Sequence, residues 1–381
     1  MDSTDSSKNK EFEFLKRKFS DYYASLEPEK IAPGDCAARE FGAGWEKKID
    51  WRHLALASAS ELKSFLVREA PLYCSYSAAH YEFPSAQPME RKNATAWDLI
   101  FDIDAPTVKI EHAHDELFCV KCFEAVREDT RRLIDDFLIA DLGFSEKNVA
   151  VNFSGSKGMH VHVTSEEALK LSQDARKQIA AYVKGPNGVA ALLTQYEEKA
   201  PLRGPGKTAS GWKGKAYRAA RDFLERASTE DLMDYSLRRD RAQRIVDEKK
   251  IALERLASGQ WDAIAGLEKV WPSLISGLVA RQRVEIDEPV TTDAARLIRL
   301  PDSLHGGSSL RAKKIDLKKL SEFDPLKQAV AFKSDKTVKL KTSKAFEFEF
   351  DDETRCVEAG ESEVALGPAL FLLCKGKATL A

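Results

Sequence analysis

The chain has 381 residues, 43% hydrophobic and 31% charged, which excludes a disordered or fibrous class and leaves a globular one with room for one large domain or about two to three ordinary ones. A net charge of −2 and a pI of about 6.4 carry no global nucleic-acid signal, so any affinity for a polyanion must come from local basic patches. The opening text MDSTDSSKNKEFEFLKRKF has no apolar centre, no apolar run reaches membrane-spanning length, and of six cysteines only Cys119 and Cys122 are close neighbours, so no disulfide framework and a cytoplasmic location away from any membrane are expected.

Residues 10–30 and 61–69 read as charged amphipathic helices. AWDLIFDIDA (96–105) is a short apolar run of strand formers that ends on acids, as a buried strand delivering side chains to a site would. From Phe123 to Leu142 the residues Val126, Leu133, Ile134, Phe137 and Leu138 recur at helical spacing, with Gly143 as a stop. NVAVNFSG (148–155) alternates, and MHVHVT (159–164) is short and β-branched. Strand, helix, strand, loop and strand in this order predict an α/β (α+β) core. Residues 166–183 read as helix and GPNG (185–188) as a turn. The charged, Ala/Leu-rich text that follows predicts an α-helical insertion subdomain over 185–282, between a first part of the core at 1–184 and a second at 283–381. Short strands and turns are expected over 283–306. KAFEFEF (344–350) alternates as a strand, and ALFLLC (369–374) suits either core or interface.

Asp102 and Asp104 stand two apart on the predicted strand, so both carboxylates share one face while Phe101 and Ile103 take the other. Two such carboxylates repel unless a cation lies between them, and Mg²⁺ and Mn²⁺ favour oxygen ligands completed by phosphates. The bland alternative is a pair of solvated acids at a strand end. A phosphatase-type D-x-D is a third reading, but Pro106 stands where that pattern carries Thr or Val. SGSKGMHVHV (154–163) offers a short loop whose N–H groups, hydroxyls and Lys157 suit an anion, followed by His160 and His162 at strand spacing. An ordinary hairpin with one satisfied histidine is the alternative. IDEPVTTDAARLIRLPDSLHG then supplies Asp287, a third carboxylate for a two-metal site, and His305. Asp293 reads better as a helix cap, and Arg296 and Arg299 as surface ion pairs. His112, His114, Cys119 and Cys122 form H-x-H-x4-C-x2-C, a spacing that suits structural zinc, against the alternative of two buried thiols. RGPGKTASGWKGKAYRAAR (203–221) holds six Lys/Arg, no acid, Trp212 and Tyr217, and suits either nucleic acid or a solvated helix face.

FDIDA, SGxxGxHxxV and ID-x-x-V-T-x-D-x-x-R-L-I-R-L-P-x-S-L-H, in this order, resemble the three signature blocks of the catalytic small subunit of archaeal/eukaryotic-type DNA primases. REFG (39–42), DWR (50–52), YEFPSAQPM (81–89) and PALFLLCKG (368–376) are similar to family text as well, and the likeness is weakest over 190–280. The resemblance implies a primase-type core of mixed sheets flanked by helices, with a zinc stem. It implies Asp102, Asp104 and Asp287 as ligands of two catalytic Mg²⁺ or Mn²⁺ ions, and Ser154, Lys157, His160 and His305 around the triphosphate of the incoming nucleotide. It also implies Arg52 as a nucleotide contact, Glu40 as an acid near the site, and His112, His114, Cys119 and Cys122 as zinc ligands. The implied reaction is DNA-templated primer synthesis from nucleoside triphosphates on a single-stranded template. The implied partner is a large subunit carrying an iron–sulfur cluster. A repair or end-joining polymerase of the same superfamily is the runner-up, and a non-catalytic nucleic-acid-binding subunit a third. One departure stands out: relatives usually carry a phosphate-contacting lysine two residues after the histidine of the last block, and here that residue is Gly307.

Overall fold

Two four-stranded sheets position the site, and neither is built from neighbouring text alone. The computed structural model of the chain describes residues 3–105, 115–188, 191–194 and 201–381. The chain divides into two compact units, one of Met1–Ile134, Phe144–Lys177 and Ile286–Ala381, the other of Asp135–Gly143 and Gln178–Glu285.

In the first unit one sheet runs in the order β2-β1-β3-β9, from β1 (Glu40–Gly44), β2 (Trp51–Ala55), β3 (Tyr73–Ser77) and β9 (Leu297–Arg299). β1 reads EFGAG and is buried at every position, so it shows none of the alternation that marks a half-exposed strand. The second sheet runs β10-β7-β8-β6, from β6 (Leu99–Asp104), β7 (Val149–Phe153), β8 (Gly158–Val163) and β10 (Lys314–Ile315). β8 pairs antiparallel with both β6 and β7, in a register that sets Asp102 and Asn152 on either side of His160 and Asp104 opposite Gly158. Phe101 and Ile103 are fully buried, as the period of two requires when Asp102 and Asp104 take the other face.

Smaller pieces complete this unit. β4 (Ala79–Tyr81) pairs with β5 (Ala94–Trp97). β11 (Thr337–Thr342) lies between β14 (Gly360–Ala365) and β15 (Ala378–Leu380). β12 (Phe346–Phe350) pairs with β13 (Glu353–Val357), burying Phe346, Phe348 and Phe350 while Glu347 and Glu349 face solvent. The ALFLLC text is a core helix: Leu366–Leu373 are all buried in the helix Leu366–Cys374, and the Phe371 ring lies 5.3 Å from Phe350 and 5.8 Å from Phe348. Over 283–306 the structure has the short strand β9 and turns as expected, together with a helical turn, Glu288–Thr292, that Asp287 begins.

The second unit is helical, with Gly211–Arg226, Arg239–Asp247, Lys249–Ala257 and Leu267–Gln282 around Trp261 and Trp271. Both indoles are fully buried and each has its N–H satisfied, Trp271 Nε1 donating to Trp261 O at 2.5 Å and Trp261 Nε1 to Pro205 O at 3.0 Å. The basic text 203–221 departs from a base-stacking surface. Trp212 and Tyr217 are each only 6% exposed, Trp212 Nε1 donates to Tyr182 O at 2.7 Å, and Lys215 is buried against Asp141 at 2.5 Å. Its aromatics are spent on the core of this unit.

Truncating Leu370 to Ala should cost about 2–5 kcal/mol, the range for a fully buried leucine. Thermal or chemical unfolding of the full chain measures it, and a near-neutral result would place the helix at a surface instead.

Candidate active site

A cleft of about 310 Å³ opens between the two sheets of the first unit. The second sheet contributes Asp102 and Asp104 from β6, His160 from β8, and Ser154, Ser156 and Lys157 from the β7–β8 loop. The first sheet contributes Ser75 from β3 and Leu297, Ile298 and Arg299 from β9. Lys48 and Ile49, on the turn between β1 and β2, and His305 complete the lining.

Asp287 joins the aspartates through the backbone. Its N–H donates to the carbonyl of Asp102 at 2.9 Å, so the start of the Glu288–Thr292 turn is clamped to β6 where the acids sit. Burial pushes the Asp102 carboxyl well above the usual carboxylate range, and the charges of Asp104 and then Asp287 push it further. Asp104 is raised mainly by burial too, with Lys48 and Lys157 pulling it back. Asp102 Oδ1 is buried with no hydrogen-bond donor, and His160 Nε2 stands 3.5 Å from it without hydrogen-bond geometry. A buried, unsatisfied carboxylate oxygen among like charges suits a hard divalent cation, which satisfies the oxygen and cancels the repulsion. Among the described residues, no three His, Cys, Asp or Glu side chains yet close into a metal-holding group. Gly158 is what lets Asp104 lie over the neighbouring strand: a Cβ there would stand 2.0 Å from Asp104 Oδ1 and 2.9 Å from the Ile103 carbonyl.

The β7–β8 loop is closed by its own first residue. Ser154 Oγ accepts from the N–H of Gly158 at 3.0 Å and of Ser156 at 3.4 Å, and Ser154 N donates to Gly158 O at 2.9 Å. Those two N–H groups therefore turn inward, and Lys157 is held on a fixed turn. Gly155, at φ +86°, lies so close to His305 that a Cβ would meet the His305 Cβ at 2.8 Å, and Ser308 Oγ donates to the Gly155 carbonyl. The His305 segment and the loop thus dock as one wall. His305 Nδ1 accepts the Gly307 N–H at 3.1 Å, which leaves the hydrogen of the neutral ring on Nε2, and Tyr73 packs edge-on at 5.3 Å.

Burial holds both cleft histidines well below the usual imidazole range, with the charges of Arg299 and Lys48 adding to it, so neither supplies a positive charge at neutral pH. The cations are Lys157, Arg299 and Lys48. Arg299 corrects the expectation of a surface ion pair. It is buried, lies over the Tyr73 ring at 5.1 Å, and donates to the Cys74 carbonyl at 3.3 Å. Arg296 is the exposed residue, paired with Asp293 at 3.7 Å. Arg299 escapes sequence reading because β9 is three residues long and its neighbours in space are β3 and Tyr73, far off in the chain.

Glu40 and Arg52 lie outside the cleft lining. Glu40 is fully buried; Arg52 Nε donates to its Oε1 at 2.8 Å, and Lys92 Nζ stands 3.1 Å from its Oε2. Burial pushes the Glu40 carboxyl up, but Arg52 and Lys92 outweigh it and hold the group below the usual range. Arg52 also donates to the carbonyl of Ala295, tying β2 to the segment that precedes β9. Cys119 caps the helix Val120–Arg132 and Cys122 follows one turn in, while His112 and His114 lie outside the described residues.

Residues 101–317 match the family described as DNA primase small subunit. The DNA primase small subunit PriS of Methanococcoides burtonii is 32% identical, with 96% of this chain and 97% of the relative covered. That of Haloarcula marismortui is 34% identical at the same coverage of both chains. Among solved structures, the polymerase domain from Mycobacterium tuberculosis ligase D in complex with DNA overlaps with a TM-score of 0.35 at 14% identity, over 81% of this chain and 83% of that one.

Replacing Asp102 by Asn should raise the Tm of the metal-free chain at neutral pH. A carboxyl whose folded pKa is raised contributes stability that is present below the ordinary carboxylate range and lost as pH rises through the folded value, and the amide keeps the neutral form throughout. The same variant should lose most of the Tm gain that Mg²⁺ or Mn²⁺ gives the parent, read by scanning calorimetry with and without the ion. Gly158→Ala, by displacing Asp104, should weaken that divalent response by at least about tenfold in apparent affinity, on the scale of a misplaced metal ligand.

Proposed function

The chain belongs to the DNA primase small-subunit family and is a nucleotidyltransferase, and from that premise we propose that the cleft between the two sheets is its catalytic site. The reaction is DNA-templated phosphodiester formation that begins a primer from nucleoside triphosphates. The observation that carries the assignment to this cleft is the clamp of Asp287 onto Asp102, which sets a third acid against the strand whose Asp102 and Asp104 line the cleft with Lys157, Arg299 and His305.

Divalent metal ions are used generally in this family. Asp102, Asp104 and Asp287 would hold Mg²⁺ or Mn²⁺ here, and the orphaned Asp102 oxygen supports it. What such ions supply when bound is Lewis acidity: a more acidic attacking hydroxyl and charge relief at the phosphates. The rest is positioning. Lys157 and Arg299 meet the phosphates as fixed charges, and Ser154 holds the loop that presents Lys157. His160 and His305, kept neutral by burial, act as hydrogen-bond donors that take up a proton as phosphate charge approaches. Glu40, Arg52 and Lys92 fix β1 to β2 and to the segment before β9, and through that hold Arg299 in register. No side chain needs to attack, because phosphoryl transfer is governed by alignment and charge.

Cys119 and Cys122 are assigned to a structural zinc site, completed by His112 and His114. Support comes from the two sulfurs lying close enough that Cys119, after burial, pushes the Cys122 thiol up, an arrangement a cation reverses. A large subunit of the iron–sulfur type is the expected partner. The cytoplasm is the proposed place of work; no helix among the described residues is long and apolar enough to cross a membrane.

Asp102→Ala should abolish primer synthesis on single-stranded DNA with Mg²⁺ or Mn²⁺, tested with and without a large subunit, while circular dichroism stays native. Near-normal incorporation by this variant would sink the assignment. Product that forms only when a primer is supplied would point to the repair polymerase instead.

A further inference from the structure

We propose that Lys48 is a further phosphate-binding residue of the nucleotide site, reaching the triphosphate from the sheet opposite Lys157; this rests on the reading of the cleft as the nucleotide site. Lys48 ends an EKK run (46–48) on the turn between β1 and β2, and it lines the cleft with Asp104, Lys157, Arg299 and His305. Those residues belong to four segments, β6, the β7–β8 loop, β9 and the segment of His305, so Lys48 faces the same cavity as each of them. Among the described residues it forms no ion pair, so its charge is available to a ligand.

The turn that carries it is built to hold one shape. A Cβ on Gly44 would lie 2.0 Å from the Lys47 carbonyl, so only glycine lets the backbone fold back this tightly. Asp50 Oδ2 accepts from the N–H groups of Trp45, Glu46 and Lys47 at 2.7, 3.0 and 3.3 Å, and Asp50 N donates to the Ala43 carbonyl at 2.8 Å. Trp45 Nε1 donates to Glu69 O at 2.9 Å, and its ring meets Trp51 edge-on at 4.8 Å. A lysine on a fixed turn keeps most of its binding energy, since only its own side chain is ordered when the ligand arrives.

The chemistry asks for such a cation. A triphosphate brings several negative charges into a cleft whose wall already carries Asp102 and Asp104. At Gly307 the His305 turn offers no side chain, and its N–H is already given to His305. Lys48 brings the missing positive charge from the other wall.

The test is titration calorimetry on the full chain with Mg²⁺, using a nucleoside triphosphate, the matching monophosphate and a single-stranded DNA oligonucleotide. Lys48→Ala should weaken triphosphate binding about tenfold, the scale of one lost charged contact, and Lys48→Arg should recover most of it. Binding of the monophosphate and the oligonucleotide should hold at the parent value, and in primer synthesis KM for the nucleotide should rise far more than kcat falls. Unchanged triphosphate binding by Lys48→Ala overturns the proposal while Asp102→Ala still tests the catalytic assignment on its own. A loss confined to the oligonucleotide overturns it too, and moves Lys48 to the template. A parent chain that binds no triphosphate overturns both this proposal and the reading beneath it.

Discussion

One backbone hydrogen bond, from Asp287 N to Asp102 O, sets the terms for the rest of the first unit. It brings a third acid against a strand that already carries two on one face. Everything near it is arranged so that the fold tolerates the charge. Phe101 and Ile103 anchor β6 from the buried face, Gly158 leaves room for the Asp104 carboxylate, and Lys48 and Lys157 pull its pKa back toward the ordinary range. The acids remain under-compensated, with Asp102 Oδ1 lacking a donor. Stability given up at a site in this way is expected where a ligand is to complete it.

The cleft is polarised. Acids occupy the β6 side, while Lys48, Lys157 and Arg299 supply positive charge around it, and the histidines between are held neutral by burial. This is a division of labour suited to a substrate whose reacting centre needs charge relief and whose leaving group is itself an anion. The supports around it are equally specific. Glu40, Arg52 and Lys92 form a buried charge cluster in which breaking one partner strands the others, so its effect on the cleft is through the register of the first sheet.

Much of this was legible beforehand because it is local. β6, β7 and β8 carry their own strand signatures, and the period of two places Asp102 with Asp104 and His160 with His162 without any tertiary knowledge. The helix at 366–374 and the first sheet were not legible. β1 carries two glycines and is buried on both sides, so it shows no alternation, and an apolar segment such as ALFLLC reads alike whether it faces a partner or its own core. Trp212 and Tyr217 show the same limit from the other side: a basic, aromatic text looks like a nucleic-acid surface until its rings are found in a core.

By itself, then, the amino-acid sequence determined the family and the fold class, and it singled out Asp102, Asp104, Ser154, Lys157 and His160, which line the cleft, because each lies in a short stretch whose periodicity and order carry the information. Tertiary structure alone decided which cations face those acids. Arg299 reads as a surface ion pair, and only the pairing of β3 with β9 turns it inward, while the tight turn after Gly44 carries Lys48 to the cleft. The physical reason is that a charge acts through space over a few ångströms, and the residues within that distance of Asp102 come from segments scattered along the chain.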